Sequence, residues 1–466
     1  MKTAKLVLLS GLAVVPSMVP AQKNAPVNVI YILADDLGYG DLGCYGQQII
    51  QTPHLDRMAK EGMRFTRHYA GTSVSAPSRA SLMTGLHTGH THIRGNYEIK
   101  PEGQAPLKKG TFTIGHLMQN AGYTTGLFGK WGLGYPGSGS EPNDMGFDQF
   151  YGYLCQRQAH DAYPGFFRRN KSIEQIAGNE NNGRKVYSQA LLQKEALGFI
   201  HANAHRPFFA MLTFTVPHAE LNLPHDSIYR IYEGRFNEKP FVYTGGYAAS
   251  EQPAASYAAM VTQLDAYVGE ILGELKKLGI AENTLVIFTS DNGSHREGGH
   301  QPDFFKSSGP LRGVKRSLYE GGMRIPALAW MPGTVPAGVV SDHISAFWDM
   351  MPTLADLSHQ KLKVPTDGIS MLPTLTGTGK QKKHAYLYWE FHEDGGRQAV
   401  LKDDWKAVRQ KIASGKPTIE LYNLKVDPGE KNNLAEKYPE KAGKLEKIMN
   451  SARTESELFN FGQKVN

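Results

Sequence analysis

The sequence is poor in cysteine and lacks an apolar run long enough to span a membrane. Its 466 residues contain two cysteines, Cys44 and Cys155, which excludes a disulfide-rich scaffold. The two thiols could pair in an oxidising compartment or stay free, and sequence alone does not decide between these states. The longest early apolar run, residues 6–15, is too short for a bilayer and is followed by Pro16, so a membrane anchor is disfavoured.

The chain also lacks a strong charge of one sign. Its 51 basic and 44 acidic side chains give a formal charge of +7, which fits an anionic substrate without requiring one. Basic clusters such as residues 380–383 are short and are not interleaved with aromatic side chains. Nucleic acid is therefore not an expected partner.

The first residues have the pattern of a secretory signal peptide. Lys2 and Lys5 precede the apolar run, and Val19-Pro20-Ala21 provides a small-residue cleavage site. We predict a signal peptide over residues 1–21, cleavage after Ala21, and export to the periplasm or the exterior. The residue directly after the predicted cleavage site is Gln22 and not a cysteine, which disfavours a lipoprotein anchor.

The rest of the chain has ordinary globular composition, with 40% hydrophobic and 20% charged residues. Buried strands are predicted at residues 27–33, 124–128, 207–214, 284–289 and 325–330, and helices at 113–121, 186–201 and 254–278. Strands that alternate with helices predict an α/β sandwich with a large sheet flanked by helices. Ligands of such sheets bind at the carboxyl ends of the strands.

Beyond residue 377 the predicted elements become shorter. Strand patterns occur at residues 385–389, 398–401, 405–409 and 420–423, followed by an amphipathic helix at 439–453. We predict a catalytic α/β domain over residues 24–378 and a C-terminal subdomain over 379–466, built from a small antiparallel sheet and a helix.

A hydroxyl at the start of a helix is the first candidate for chemistry. Ser75 precedes Pro77, which suits a first helical turn, and Arg79 adds a permanent charge about one turn along. Free amides at such a helix start favour an anion held near Ser75. An ordinary capped helix would carry the same residues.

Acidic and amide side chains follow two of the predicted strands. Asp35 and Asp36 come after the first strand, and Asp291 and Asn292 follow the strand at residues 284–289. Three carboxylates and an amide oxygen suit Ca²⁺ first and Mg²⁺ second, but not zinc or copper.

These features resemble the type I sulfatases, in which a Cys or Ser at the position of Ser75 is oxidised to formylglycine. Six blocks carry the resemblance in the family's order, at residues 32–41, 75–85, 129–131, 215–219, 289–293 and 311–315. The resemblance implies an alkaline phosphatase-like fold and hydrolysis of sulfate esters. In that family the hydrated formylglycine supplies the hydroxyl that attacks sulfur.

The resemblance also implies roles for individual residues. Asp35, Asp36, Asp291, Asn292 and the modified residue 75 would bind calcium. Arg79 would hold residue 75, and the sulfate would be contacted by Lys130, His218 and Lys315. Taken alone, His218 and Lys315 would be read as an ordinary buried histidine and a solvated lysine.

One position departs from the family pattern. Most sulfatases have histidine two residues after the motif lysine, where this chain has Gly132. Either another histidine occupies the space or a different base acts in the last step. His160, His295 and His300 are the candidates, and we favour His160 because it follows the same segment of the chain.

The resemblance favours a sulfated glycan containing galactose or N-acetylgalactosamine as substrate. Candidate sugar contacts are Arg94, His300, Glu390 and His392, each of which could equally belong to a surface loop. The serine form of the signature implies an anaerobic radical S-adenosylmethionine maturase as a partner. An engineered Cys to Ser change would leave the same residue.

Two other functions remain open at this level. One is a phosphoester or phosphonate hydrolase of the same superfamily with unmodified Ser75 as the nucleophile. The other is a catalytically inactive glycan-binding homologue, for which Gly132 and the serine at position 75 are the motivating residues.

Overall fold

The computed structural model describes residues 26–461, so the predicted signal peptide lies outside the described residues. Within this range the central sheet has 11 strands. They are β1 (Asn28–Ala34), β2 (Met63–Tyr69), β3 (Thr124–Lys130), β4 (Gln149–Tyr153), β5 (Phe166–Arg169), β6 (Ser172–Gln175), β7 (Phe208–Thr213), β8 (Thr284–Ser290), β9 (Arg324–Trp330), β10 (Val339–Ser341) and β11 (Ser345–Ala346).

The sheet is mixed, with a parallel centre. Its order is β10-β2-β9-β8-β1-β7-β3-β4-β5-β6, and β11 also pairs with β2. Strand β1 pairs in parallel with both β7 and β8, and β3 pairs in parallel with β7 and β4. Strand β9 runs antiparallel to β8 and β2. The carboxyl ends of β1, β3, β7 and β8 therefore meet at one edge of the sheet.

Helices cover both faces of this sheet. They are α1 (Pro53–Glu61), α2 (Ser75–Thr84), α3 (Ile114–Asn120), α4 (Ser188–Ala202), α5 (Pro253–Lys277), α6 (Pro302–Phe305), α7 (Glu320–Met323), α8 (Met350–Leu357) and α9 (Leu372–Thr376). Successive residues of β1 point to opposite faces of the sheet. Ile30 and Ile32 pack against α1, α4 and α5 on one face. Val29 and Tyr31 pack against α2, α3 and α8 on the other. This alternation explains why β1 is apolar throughout.

A second, smaller sheet follows. Its strands β12 (Leu387–Phe391), β13 (Arg397–Lys402), β14 (Trp405–Gln410) and β15 (Thr418–Asn423) pair antiparallel in that order. Helix α10 (Pro439–Ser451) packs on one face. Trp389 and Val408 on the other face pack against Tyr69 and Trp348 of the large domain. The predicted fold class, a large mixed sheet with a smaller antiparallel one, is confirmed.

The two cysteines are free thiols, with Cys155 buried and Cys44 half-buried. Of the two states that the sequence left open, the structure has the unpaired one. Between residues 26 and 461, no helix combines the length and the apolar character needed to cross a membrane.

Candidate active site

Ser75 is the first residue of helix α2 and lies among the carboxyl ends of the parallel strands. Its Oγ is 3.2 Å from Asp35 Oδ1 and is also in hydrogen-bond contact with Asp291. Lys130 Nζ donates to the same oxygen at 3.2 Å. Asp35 follows β1, Asp291 follows β8, and Lys130 ends β3, so three strands meet at one buried hydroxyl.

The four predicted metal ligands lie together beside Ser75. The backbone N–H of Asp36 donates to Asp291 Oδ1 at 3.1 Å, and Asn292 Nδ2 donates to Asp36 Oδ1 at 2.6 Å. Asn292 Oδ1 is buried and has no hydrogen-bond partner among the residues that the structure describes. An orphaned oxygen beside three buried carboxylates fits a hard cation with oxygen ligands.

Two basic side chains bind these acids on the Ser75 side. Arg79 donates to Asp291 Oδ2 from Nε and Nη2, at 3.1 and 2.9 Å, and donates to the Lys130 carbonyl oxygen at 3.0 Å. Lys130 Nζ lies 2.7 Å from Asp35 Oδ2. Because all these side chains are buried, pairing is what makes the burial of their charges tolerable.

A second basic pair lies on the Asp36 side. Lys315 Nζ is 2.9 Å from Asp36 Oδ2, 2.9 Å from Glu297 Oε2 and 3.1 Å from His218 Nε2. His218 Nδ1 contacts the Ala219 carbonyl oxygen, so Nδ1 carries the proton and Nε2 accepts from Lys315. Burial, followed by Lys315 and Lys130, lowers the pKa of His218 well below its usual value.

His160 stacks directly on His218. The ring centroids are 4.8 Å apart and the ring planes differ by 17°. Burial, followed by the neighbouring basic side chains His218, Lys130 and Lys315, lowers the pKa of His160 to about 2, so the ring is neutral in the free protein. His160 therefore lies at the cluster, although it contacts His218 and not Ser75.

The space beside Gly132 is taken by an amide. A Cβ at Gly132 would lie 3.2 Å from Gln156 Cγ, and Gly132 has φ of +74°. Gln156 Nε2 donates to Asn96 Oδ1 at 3.2 Å, and the same oxygen accepts from the Ala76 N–H at 3.1 Å. The Gln156–Asn96 pair, which sequence reasoning missed, thus connects the Gly132 position to the residue after Ser75.

The other two histidine candidates have structural contacts. His295 Nε2 lies 3.1 Å from the Pro217 carbonyl oxygen, and His295 Nδ1 accepts from the Glu297 N–H at 3.0 Å. His300 is buried, lies 3.1 Å from Ser294 Oγ and stacks on Tyr257 at 3.5 Å. His300 therefore lies in the core, and its two suggested roles, as the replacement base and as a sugar contact, stay predictions.

The remaining predicted sugar contacts form a buried ion-pair group. Glu390 lies 3.4 Å from Arg94 and 2.7 Å from His392, and it also pairs with Arg453. Arg94, Glu390 and His392 are each less than a tenth exposed. These ion pairs join the large domain to the small sheet, and the role of Arg94, Glu390 and His392 as sugar contacts stays a prediction.

Sequence reasoning missed Glu297 as well. This carboxylate binds both Lys315 and Arg316. Burial raises its pKa, but Lys315, His295 and His218 outweigh burial and hold it below its usual value. Its position between the candidate histidines His295 and His300 was a signal, but nothing in the sequence linked it to Lys315.

The strand ends of this sandwich hold a hydroxyl, three carboxylates and several basic side chains. This topology and site define a hydrolase of the alkaline phosphatase-like class. The chain belongs to the sulfatase family: the family model described as Sulfatase matches residues 27–359. A second model, N-sulphoglucosamine sulphohydrolase, C-terminal, matches residues 314–455. The protein is thus a sulfuric ester hydrolase.

Named relatives agree with this family. The chain is 34% identical to N-acetylgalactosamine-6-sulfatase of Rattus norvegicus, over 79% of this chain and 69% of the relative. It is 32% identical to arylsulfatase A of Homo sapiens, over 92% of this chain and 85% of the relative.

Solved structures share the fold along most of their length. The crystal structure of Ps i-CgsB in complex with k-i-k-neocarrahexaose has a TM-score of 0.78 and 27% identity, covering 92% of each chain. PsFucS1 sulfatase from Pseudoalteromonas sp. has a TM-score of 0.73 and 25% identity, covering 92% of this chain and 90% of that one.

Proposed function

We propose that the protein removes O-sulfate from a sulfated carbohydrate, with residue 75 as the nucleophile after oxidation of Ser75 to formylglycine. The observation that carries this proposal is the position of Ser75 Oγ, between Asp35, Asp291 and Lys130. No histidine base contacts this oxygen among the described residues, which argues against a simple serine nucleophile of the protease type.

Calcium is the proposed metal, with Mg²⁺ as the second choice. Asp35, Asp36, Asp291, Asn292 and residue 75 would hold it, since these side chains offer only oxygen ligands. When bound, the ion would offset the negative charge that gathers at the site and increase the nucleophilicity of the hydroxyl.

Basic side chains of the protein would bind the sulfate group. Arg79 holds the acids beside residue 75, while Lys130 and Lys315 offer ammonium groups to the sulfate oxygens. As the bond from sulfur to the bridging oxygen breaks, that oxygen needs a proton or a strong hydrogen bond. Lys315 is the donor proposed for it, and His218 would position Lys315 by accepting its hydrogen bond.

His160 is the residue proposed to compensate for the histidine missing at Gly132. Its pKa of about 2 belongs to the protein without an anion in the site. A bound sulfate adds negative charge next to the His160–His218 stack and would raise that pKa. His160 could then accept a proton that it does not hold in the free protein.

The proposed substrate is a sulfated glycan that contains galactose or N-acetylgalactosamine. Two similarities support it: the 34% identity with an N-acetylgalactosamine-6-sulfatase, and the fold shared with Ps i-CgsB, which was crystallised with a carrahexaose. Sulfate release from a panel of singly sulfated galactose, N-acetylgalactosamine and glucosamine compounds would test the class. Faster release of phosphate from phosphoesters would favour the phosphoester or phosphonate hydrolase instead.

Maturation is the most direct test of the nucleophile. We propose that an anaerobic sulfatase-maturing enzyme oxidises Ser75 and that the protein is exported by its signal peptide. Co-expression with such an enzyme should reduce the mass of the peptide that contains Ser75 by about 2 Da. An unmodified peptide after competent co-expression, together with no sulfate release, would favour the inactive glycan-binding homologue.

A further inference from the structure

A glycine-tipped hairpin lies against the proposed active site. Phe241 and Ser250 exchange two backbone hydrogen bonds, of 2.8 and 3.0 Å. At the tip, Gly245 and Gly246 have φ of +63° and +84°, which matches the two-residue turns that join tight hairpins. We call residues 241–250 the 241–250 hairpin.

Tyr247 connects this hairpin to the reactive cluster. Its ring centroid is 5.0 Å from that of His160 and 6.0 Å from that of His218. Burial, and then the negative charge of Glu297, raise the pKa of Tyr247 to about 12, so its hydroxyl stays protonated and can donate. Tyr247 thus offers an aromatic surface and a hydrogen-bond donor beside the proposed sulfate-binding groups.

The outer part of the hairpin exposes apolar surface. Val242 is 73% exposed and Tyr243 is 72% exposed. Two large apolar side chains exposed next to each other, on a hairpin whose Tyr247 contacts His160, favour a binding surface. Tyrosine suits this purpose, because it offers a large contact area and loses little conformational entropy on binding.

A basic side chain begins the turn that carries His160. The His160 N–H donates to the Arg157 carbonyl oxygen at 3.1 Å, and the Arg157 guanidinium pairs with Glu98, with Nη2 2.6 Å from Oε2. The Arg157 side chain is 63% exposed, and it precedes His160 by three residues. An aromatic ring and an exposed guanidinium together suit a sugar that carries its own anionic group.

We propose that the 241–250 hairpin and Arg157 form the sugar-binding wall of the site. Tyr247 packs against the sugar that bears the scissile sulfate, and Tyr243 with Arg157 holds the neighbouring, anionic sugar. The preferred substrate is therefore a polyanionic oligosaccharide and not an isolated sulfated sugar. This inference rests on the proposed function and adds the recognition of a second sugar.

The test compares three substrates: 4-nitrophenyl sulfate, N-acetylgalactosamine 6-sulfate and a chondroitin 6-sulfate tetrasaccharide. In Tyr243→Ala and Arg157→Gln, the ratio of kcat/KM for the tetrasaccharide to that for the monosaccharide should fall about tenfold, mainly through KM. Arg157→Lys should recover part of the ratio because it keeps the charge. Tyr247→Ala should instead reduce kcat/KM for both sugars relative to the aryl sulfate.

The matched control is Val426→Ala, which alters another highly exposed apolar side chain and should leave the ratio unchanged. A uniform loss on all three substrates in Tyr243→Ala would overturn the inference. Wild-type protein that releases sulfate from none of them would contradict the proposed function instead. In that case the inference is tested by calorimetry of tetrasaccharide binding to Ser75→Ala, with and without Tyr243→Ala. Tyr243→Ala should weaken binding about tenfold, and equal binding by the two proteins would overturn the inference.

Discussion

Lys315 Nζ lies 3.1 Å from His218 Nε2, so the ammonium group donates to an imidazole that must be neutral. The acceptor role of Nε2 follows from the contact between Nδ1 and the Ala219 carbonyl oxygen. Two groups that the sequence places 97 residues apart therefore act as one hydrogen-bonded pair next to Asp36.

We expect the Lys315–His218 pair to behave as one unit in kinetics. Lys315→Met and His218→Gln should each reduce kcat/KM for a sulfate ester by at least ~100-fold, because the first removes the donor to the developing charge and the second removes the acceptor that positions this donor. The double variant should lose much less than the product of the two effects. Lys402→Met changes an exposed lysine of the small sheet and serves as control. Fully independent effects would contradict the pairing.

Replacement of His160 should affect turnover more than affinity. His160→Ala removes the proposed proton acceptor, so kcat should fall at least ~10-fold while KM changes little. Steady-state kinetics on the best sulfated sugar would measure both constants. His225→Ala, at an exposed histidine, is the control. Turnover equal to that of the wild type would remove His160 from the mechanism.

Removal of the metal should reduce both activity and thermal stability. EDTA treatment is expected to lower the Tm, because a cation that binds only the folded state stabilises it. Ca²⁺ should restore the Tm at lower concentration than Mg²⁺. In Asn292→Ala, the Ca²⁺ concentration that restores half of the lost Tm should be at least ~10-fold higher than in the wild type. A Tm that does not respond to chelator or calcium would contradict the proposed site.

Glu390 should contribute to stability in a pH-dependent way. Burial raises the pKa of Glu390, but His392, Arg453 and Arg94 lower it to about 2. Because the folded-state pKa lies below the unfolded value, the contribution is present above about pH 4.5 and is lost as the pH falls towards 2. At pH 7, Glu390→Gln should lower the free energy of unfolding by about 3 kcal/mol.

Urea denaturation at pH 7, 5 and 3 would measure this difference, which should shrink towards low pH. Glu174→Gln, at an exposed ion pair, should change stability by less than about 1 kcal/mol. KM for the sulfated sugar should be unaffected by Glu390→Gln. A large change in KM with normal stability would instead support Glu390 as a sugar contact.

Gly132 should tolerate a side chain poorly. Its φ of +74° disfavours any residue with a Cβ, and that Cβ would press on Gln156. Gly132→Ala should therefore cost about 1 kcal/mol, measured as a lower urea midpoint. Gly443→Ala, in helix α10 with open space around it, should be neutral or stabilising. Equal midpoints for Gly132→Ala and wild type would show that the missing histidine is not excluded by the backbone.

Much of the fold followed from local patterns. The predicted strands at residues 27–33 and 284–289 differ by one residue from β1 and β8, because both are continuous apolar runs that end in acidic or amide side chains. The four short strands and the last helix of the small sheet were also predicted close to their observed bounds. Strand pairing across the sheet was not predicted, since it depends on contacts between residues far apart in the chain.

Local hydrophobic period and residue type were enough to predict the strands, the helix that begins at Ser75, and the acidic residues after β1 and β8. Which side chains meet became visible only in the folded chain. The fold brought Glu297 to Lys315, His160 onto His218 and Gln156 beside Gly132, and it closed Glu390 within ion pairs to Arg94, His392 and Arg453. Such contacts join loops from separate strands, and their geometry is set by the packing of the whole sheet.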